Sequence, residues 1–303
     1  MYRQIIIVSA GSVLIPIILG VLVSSAGAEQ PASTVAVTCQ AAGALVRVPE
    51  LPEGSGVAAS QRSPGRLWAH NDSGEPVLVA LDSKGAVAGR IHVSGAKVAD
   101  WEAVAVGPCP SGTCLYIGDI GDNDGKRRTI TIYRLPEPAN ASGSVAIADE
   151  FRASYPDGAH DAETLLVTPK GEILIVTKGD TGRVATLYRM PADTKPGGQV
   201  TLQQMGQPRP GRPASADDRI TDGDVSPSGA WVALRTKSDV VIHRTEDLMS
   251  GNWREAGRVS LKTLSEPQGE GIAFGDERTI YVVGEGGGKS QPGTFGRLTC
   301  TFD

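Results

Sequence analysis

Acidic residues recur at one position of an internal repeat, and this pattern points most directly to chemistry. Five segments share a small or acidic residue, then a small residue, then an apolar run, at intervals of 47, 61, 61 and 46 residues. The equivalent positions hold Ser55, Glu102, Glu163, Asp224 and Glu270. Because equivalent positions of a closed repeat face one another, we expect these four carboxylates to form a ring.

Carboxylates this close repel one another unless a cation neutralises them, some hold protons, or the site is wide and wet. A hard cation with oxygen ligands, Ca²⁺ first, is the natural neutraliser. The alternative is that each carboxylate binds backbone N–H groups of neighbouring strands. The expected ligands of the metal are Asn71, Asp72, Glu102, Glu163, Asp224 and Glu270.

Further polar residues stand at the ends of the second strands and in the loops that enter the first strands. Histidine is suited to act as a general base near neutral pH, and a lysine or arginine stabilises developing negative charge. The catalytic candidates are His70, His160, Lys178 and Arg235. The candidates for substrate binding are Trp101, Asp119, Asp161, Gln268 and Glu285.

The elements that must position these residues are short β-strands. Each repeat interval holds about four runs rich in Val, Ile, Thr and Tyr, separated by Gly, Pro, Asp or Asn. No sustained helical period occurs after the N-terminal segment. Four-stranded units that repeat in this way predict an all-β fold, a β-propeller of five blades. Six blades are the alternative, if a 61-residue interval hides an irregular blade.

The ends of the chain predict how the ring closes. Only 33 residues follow Glu270, enough for about three strands, and the run Ser33–Cys39 is available as the fourth. Pairing the two ends within one blade would bring Cys39 close to Cys300. The other two cysteines flank a Pro- and Gly-containing turn, so we expect the disulfides Cys39–Cys300 and Cys109–Cys114.

The first 28 residues look like a signal peptide. Arg3 precedes an apolar run, and Ala26-Gly27-Ala28 provides a small-residue cleavage site. An uncleaved membrane anchor is the alternative. The remaining residues 29–303 are expected to form a single propeller domain in the periplasm, at the cell surface or outside the cell. Export also favours disulfides, because the compartment is oxidising.

Composition narrows the class of protein further. The 303 residues include 38 Gly and 20 Pro, which suits a turn-rich chain and argues against a coiled coil or a helical bundle. The net charge is −5, which argues against a protein that binds nucleic acid through bulk positive charge. We expect a monomer that binds a small molecule or carbohydrate and meets the membrane only if the N-terminal segment stays uncleaved.

The acidic ring resembles that of the calcium-dependent propeller hydrolases, which include the gluconolactonase/regucalcin, diisopropyl-fluorophosphatase-like, phytase-like and esterase-like proteins. The matching residues are Glu102, Glu163, Asp224 and Glu270, with Asn71 or Asp72. Those families usually have six blades. A five-bladed count is instead similar to the arabinanase-type glycosidases, whose channel carboxylates act as acid, base and pKa modulator, although their local signatures are absent here.

The first hypothesis is therefore an exported hydrolase or lyase with a metal-assisted site in the channel, acting on a small polar, anionic or carbohydrate substrate. The metal would polarise a substrate oxygen. The second hypothesis is a non-catalytic propeller that binds a glycan or a protein. The third is a metal-independent glycosidase that uses two channel carboxylates.

Overall fold

The computed structural model describes Met1 and residues 37–208, 211–251, 253–288 and 290–302. The predicted signal segment 1–28 lies outside the described residues, apart from Met1. Thr34–Asp303 form one compact unit. Among the described residues, no helix has both the length and the apolar character needed to cross a bilayer.

The described chain forms five antiparallel sheets that serve as the blades of a β-propeller, which confirms the predicted fold. Each innermost strand contacts the innermost strands of the two adjacent blades, so that the five surround a central channel. We number the blades I to V in chain order of these innermost strands.

The strands of each blade, from the channel outward, have the following bounds. Blade I comprises Gly54–Ala59, Arg66–Asn71, Val77–Asp82 and Val87–Ser94. Blade II comprises Trp101–Cys109, Gly112–Asp119, Ile130–Pro136 and Asp149–Ser154. Blade III comprises Ala162–Val167, Ile173–Thr177, Leu187–Arg189 and Gln203–Gly206. Blade IV comprises Ile220–Val225, Trp231–Thr236, Asp239–Arg244 and Glu255–Ser260. Blade V comprises Gln268–Phe274, Thr279–Glu285, Gly293–Phe302 and Val37–Ala41.

Blade V joins the two ends of the chain, as predicted. Its outer strand Val37–Ala41 pairs antiparallel with Gly293–Phe302, and Val46–Val48 pairs with the same strand further along. Cys39 stands opposite Cys300 in this register, and the two form a disulfide. The second predicted disulfide, Cys109–Cys114, is also present.

The two 61-residue intervals contain added outer strands rather than an irregular sixth blade. Gly143–Ala146 comes from the connection within blade II and pairs parallel with the outer strand of blade I. Gln199–Thr201 comes from the connection within blade III and pairs parallel with the outer strand of blade II. Each long interval therefore ties its blade to the preceding one.

The apolar core is divided into five clusters, and each lies between two adjacent blades. Trp68 and Trp101 are fully buried between blades I and II, while Tyr116 and Tyr188 are buried between blades II and III. Helices are short: an α-helix spans Thr245–Ser250, and 3₁₀ turns span Ala216–Asp218 and Lys262–Leu264. The core thus holds the blades in fixed relation, and the channel side chains lie on the innermost strands or in the loops directly next to the strand ends.

Candidate active site at the channel mouth

Each innermost strand has a β-bulge close to its start, and the bulge identifies the true repeat-equivalent positions. In blades II, III and IV the register shifts at Glu102, Glu163 and Thr221. In blades I and V it shifts across Ser55 and Glu270 with the glycine that follows each. A bulge turns the side chain of its extra residue away from the regular alternation. We call this end of the channel, where the innermost strands begin, the site mouth.

The structure corrects one member of the predicted ring. The position in blade IV is held by Thr221, three residues before Asp224. Ser55 Oγ donates a hydrogen bond to the carbonyl of Glu102 in the next blade (3.1 Å), and Thr221 Oγ1 donates the same bond to the carbonyl of Glu270 (2.9 Å). The ring at the site mouth therefore contains the carboxylates of Glu102, Glu163 and Glu270 and two hydroxyl groups.

Asp224 lies further along its strand and serves the contact between blades IV and V. Its Oδ2 accepts a hydrogen bond from the Phe274 backbone N–H, and its Oδ1 accepts one from Val225, each at 2.8 Å. It lines a cavity of about 310 Å³ at the opposite end of the channel. Burial raises the pKa of Asp224 to about 7. The sequence comparison aligned Asp224 with the other acidic residues, but the bulged position of this strand is Thr221, three residues earlier.

Asp100 and Glu102 form a carboxyl pair at the site mouth. Their side chains are within hydrogen-bonding reach of each other, and Ser55 Oγ donates to Glu102 Oε2 at 2.7 Å. Burial, followed by repulsion from Asp100, raises the pKa of Glu102 well above its ordinary value. Burial and the charge of Asp161 raise the pKa of Asp100 as well. Two carboxyl groups in such contact titrate as a pair, and each disfavours the ionised form of the other.

Gly121 backs this carboxyl pair. A methyl group at this position would overlap the carboxyl groups of both Asp100 and Glu102. Asp119 holds the adjoining loop, since its carboxylate accepts hydrogen bonds from the backbone N–H groups of Ala99 and Asp100, each at 3.1 Å. It also pairs with Arg127 at 2.8 Å. Asp119 therefore positions Asp100, rather than facing the channel as a ligand-binding group.

Lys178 lies among the carboxylates of the ring. Its ammonium group forms an ion pair with Glu163, and its Nζ is 3.8 Å from Asp161 Oδ2. Its charge also lowers the pKa values of Glu102 and Glu270 against the larger, opposite effect of burial. Lys178 thus supplies within the chain the positive charge that a metal ion was expected to supply.

The residues expected to hold calcium do not gather into a metal cage. Among the described residues, no group of three or more His, Cys, Asp and Glu side chains is arranged to hold a metal ion. The Asn71 amide is engaged with backbone, accepting from Glu53 N–H and donating to the Glu50 carbonyl, both at 3.0 Å. Glu163 is occupied by Lys178. The donor set fits an internal ammonium group better than Ca²⁺, which remains a prediction from sequence.

Blade V contributes a second acidic group to the site mouth. Gln268 Nε2 donates to Glu285 Oε1 at 2.6 Å. Burial, followed by the charges of Glu270 and Asp72, raises the pKa of Glu285 to about 7. The charge of Lys237 lowers the pKa of Glu285. Lys237 in blade IV is equivalent to Lys178 in blade III, because each directly follows the second-strand residue that pairs with the start of the innermost strand. Sequence reasoning missed Lys237 because it selected Arg235, two residues earlier.

Three of the predicted residues are buried behind the innermost strands. His70 lies between blades I and II with Nδ1 3.0 Å from the Asn71 carbonyl, and burial lowers its pKa to about 4. Trp101 packs edge-on against His70 and donates from Nε1 to the Lys97 carbonyl at 2.8 Å. Neither ring reaches the channel, so His70 is not placed as its general base and Trp101 is not placed to stack on a substrate.

Arg235 is the third buried residue and joins blades IV and V. Its NH1 donates to the carbonyls of Gly271 (2.6 Å) and Val283 (3.0 Å), and its NH2 pairs with Glu266 at 2.5 Å. The side chain of Arg235 is 0 % exposed and that of Glu266 is 3 % exposed. This arrangement fixes one blade to the next and leaves Arg235 no access to a ligand in the channel.

His160 lines a cavity of about 350 Å³, which we call the loop cavity. Asp161, whose charge raises the pKa of Asp100, lines it as well. His160 Nε2 lies 3.0 Å from Asp157 Oδ1 and 3.1 Å from the Tyr188 hydroxyl. The loop cavity is lined by, among others, Asp122, His160, Asp161, Lys178, Arg183 and Arg219. Its volume falls in the usual range for ligand pockets, about 300–1,000 Å³. Of the predicted residues, the structure therefore brings His160, Asp161 and Lys178 together around one cavity.

Comparison with known proteins supports the fold. No protein-family model and no curated protein matches the sequence. The PQQ-bound aldose sugar dehydrogenase of Streptomyces coelicolor is similar with a TM-score of 0.52 and 11 % identity, over 88 % of this chain and 98 % of that one. The allergen Mala s 1 of Malassezia sympodialis is similar with a TM-score of 0.52 and 10 % identity, over 83 % of this chain and 94 % of that one. These likenesses support a propeller and do not single out the calcium-dependent hydrolases.

Proposed function

We propose that the site mouth is the active site of an exported hydrolase or lyase that acts on a small polar, anionic or carbohydrate substrate. The observation that carries this proposal is the contact between the carboxyl groups of Asp100 and Glu102, whose pKa values are both raised, next to the ion pair of Lys178 and Glu163. Perturbed carboxyl groups beside an open cavity are typical of catalytic sites.

The carboxyl pair is suited to general acid–base catalysis. Glu102 holds the proton of the pair in the more buried position and donates it to the leaving group, while the ionised Asp100 accepts a proton from water or from the substrate. Burial favours the protonated form of Glu102, which is the form that a general acid needs. No other group is required for the transfer of the proton.

Lys178 is the charge-stabilising group of the proposed mechanism. Its ammonium group lies beside Glu163, so a substrate oxygen that becomes negative would find a preorganised positive charge at the floor of the loop cavity. His160 is held by Asp157 and Tyr188 at the cavity wall and orients the substrate. The chemistry thus depends on groups contributed by blades II and III.

Extracytoplasmic placement belongs to the same proposal. The two disulfides are compatible with an oxidising compartment. One of the structural neighbours is an enzyme that acts on aldose sugars, which gives a reason to include carbohydrates among the first substrates tested. Likeness at 11 % identity supplies no activity by itself.

The experiment is an assay of the protein against ester, lactone and glycoside panels across pH. We expect wild-type turnover of at least one class, and Glu102→Gln should lower kcat by roughly 100-fold or more, the scale of general acid–base catalysis. Asp224→Asn is the matched control, because it changes a partly exposed inner-strand carboxylate at the other end of the channel. Wild-type inactivity on every panel would contradict the proposal and favour a propeller that binds a glycan or protein.

A further inference from the structure

Acidic and basic side chains both line the loop cavity, so the charge of its ligand depends on which of them are free to bind it. The acidic groups are already engaged. Both carboxylate oxygens of Asp122 accept hydrogen bonds from the backbone N–H groups of Lys126 and Arg127, at 2.9 and 2.7 Å. Asp161 Oδ1 accepts from Asp122 N–H at 2.8 Å.

The remaining acidic groups of the cavity are engaged in the same way. Asp180 Oδ1 accepts hydrogen bonds from the N–H groups of Gly182 and Arg183, at 2.6 and 2.7 Å. Asp124 forms an exposed ion pair with Lys126 at 2.9 Å. A carboxylate that already accepts hydrogen bonds from backbone N–H groups or pairs with a lysine keeps its charge but has fewer acceptor sites left for the donors of a ligand.

The two arginines of the cavity have no such partner. In the part of the chain that the structure describes, neither Arg183 nor Arg219 has a carboxylate within 4.0 Å, the distance that defines the ion pairs found elsewhere in the protein. Among the described residues, Arg219 Nε is buried and makes no hydrogen bond. Arg183 uses NH1 to donate to the Ala159 carbonyl at 2.6 Å, and its other guanidinium N–H groups make no hydrogen bond within the described ranges.

We propose that Arg183 and Arg219 bind an oxyanion group of the substrate, a carboxylate or a phosphate, above the floor formed by Lys178. The substrate is then a small anionic molecule, such as an acidic sugar. A guanidinium group donates two parallel hydrogen bonds to an oxyanion, and this geometry selects such groups over neutral hydroxyls. The inference rests on the proposed function, because it assigns the substrate class of the same site.

The test is calorimetric titration of the folded protein with D-glucuronate, D-glucose and inorganic phosphate. We expect glucuronate to bind at least tenfold more tightly than glucose, and the preference to weaken as salt is added. The double variant Arg183→Met/Arg219→Met should lose at least tenfold in affinity for glucuronate. Arg152→Met is the matched control, since it removes an exposed arginine on the outer strand of blade II.

Each outcome decides the inference. Binding of phosphate without glucuronate supports an oxyanion site and assigns it to phosphate. Equal affinity for glucuronate and glucose in the wild type, with no binding of phosphate, overturns it, and so does an equal loss in Arg152→Met. The wild-type comparison holds even if the double variant does not fold.

The experiments test the catalytic proposal and the oxyanion site independently of each other. If the wild type turns over neutral esters or glycosides but prefers no anion, the hydrolase or lyase stands and the oxyanion site fails. If glucuronate binds through the two arginines but no panel compound reacts, the oxyanion site stands and the catalytic proposal fails.

Discussion

At the junction of blades II and III the side chain of Lys178 is 19 % exposed, whereas at the junction of blades IV and V that of Arg235 is 0 % exposed. Both cations pair with a buried glutamate, Glu163 in one case and Glu266 in the other. Lys178 does so at the floor of an open cavity, while Arg235 also donates to two backbone carbonyls of blade V.

The difference shows how one repeat provides both structural and chemical positions. At the junction of blades IV and V, hydrogen bonds to backbone use up the charged groups, and Asp222 and Asp224 likewise accept from Ile272 and Phe274 N–H groups. At the junction of blades II and III, the carboxyl pair and Lys178 interact mainly with other side chains. Side chains that are not committed to the backbone remain available to a substrate.

The largest loss of stability is expected when the buried Arg235 is replaced. Arg235→Met leaves Glu266 unpaired between two blades and should lower the free energy of unfolding by about 4 kcal/mol, because an uncompensated buried charge is costly. Chemical denaturation measures this. Arg134→Met, which breaks the partly exposed pair with Asp149, is the control and should cost less than half as much.

The double variant Arg235→Met/Glu266→Leu sharpens this result. It removes both charges, so it should recover much of the lost stability. If Arg235→Met is as stable as the wild type, the pair does not hold blades IV and V together as described.

The closure of the ring should come next in size. The Cys39–Cys300 bond spans 261 residues and Cys109–Cys114 spans 5. Loop-closure entropy grows with the length of the loop, so C39A/C300A should lose about 3 kcal/mol and exceed the loss in C109A/C114A. Thermal unfolding of the two double variants compares them directly. Equal losses would contradict the view that the terminal disulfide secures the closure of blade V.

Replacement of the partly exposed Lys178 should affect catalysis more than folding. Lys178→Met is expected to lower kcat by roughly 100-fold, the scale for loss of one preorganised charge at a developing oxyanion. Lys237→Met is a matched control at the equivalent position of blade IV and should cost less than tenfold. Equal effects of the two substitutions on kcat would contradict the proposal that catalysis depends on groups from blades II and III.

A smaller effect concerns pH and the opposite end of the channel. The pKa of Asp224 is raised from 3.8 to about 7, so the folded protein holds a proton that the unfolded chain releases. Stability should therefore fall as pH rises from about 4 to 7. Asp224→Asn removes this titration and should gain about 1 kcal/mol relative to wild type between pH 5 and 8.5, a value reduced by the partial exposure of the side chain. Denaturation of the variant and the wild type at each of the two pH values measures this gain. If the variant and the wild type differ in stability by the same amount at both pH values, the raised pKa of Asp224 is contradicted.

The sequence predicted the architecture well because strand count and cysteine placement are long-range constraints that agree. Four runs per interval and a missing last strand predicted that the run Ser33–Cys39 joins the last blade; in its described part, Val37–Ala41 does so, with Cys39 opposite Cys300. The predicted five blades are confirmed, and the extra length of the 61-residue intervals, which had left six blades as the alternative, lies in parallel outer strands such as Gly143–Ala146.

The site was less predictable because its members depend on where each innermost strand begins and on loops. In blade IV the ring position is Thr221, three residues before the Asp224 that the acidic pattern selected. Burial behind the innermost strand is invisible in sequence, so His70 and Arg235 looked equivalent to Lys178. Arg183 and Arg219 lie outside the strands that the repeat positions, and the repeat gave no signal for either.

The central claim is that the Asp100–Glu102 pair holds a proton at neutral pH, and infrared spectroscopy tests it most directly. Protonated carboxyl groups have a C=O stretching band that carboxylates lack. At pH 7 the wild type should show such a band, and one component of it should be missing in Glu102→Gln. The control is Asp119→Asn, which should keep that component because the wild-type Asp119 carboxylate pairs with Arg127. An identical carboxylic acid band in the wild type and Glu102→Gln would show that Glu102 is ionised, and would contradict acid–base catalysis by this pair.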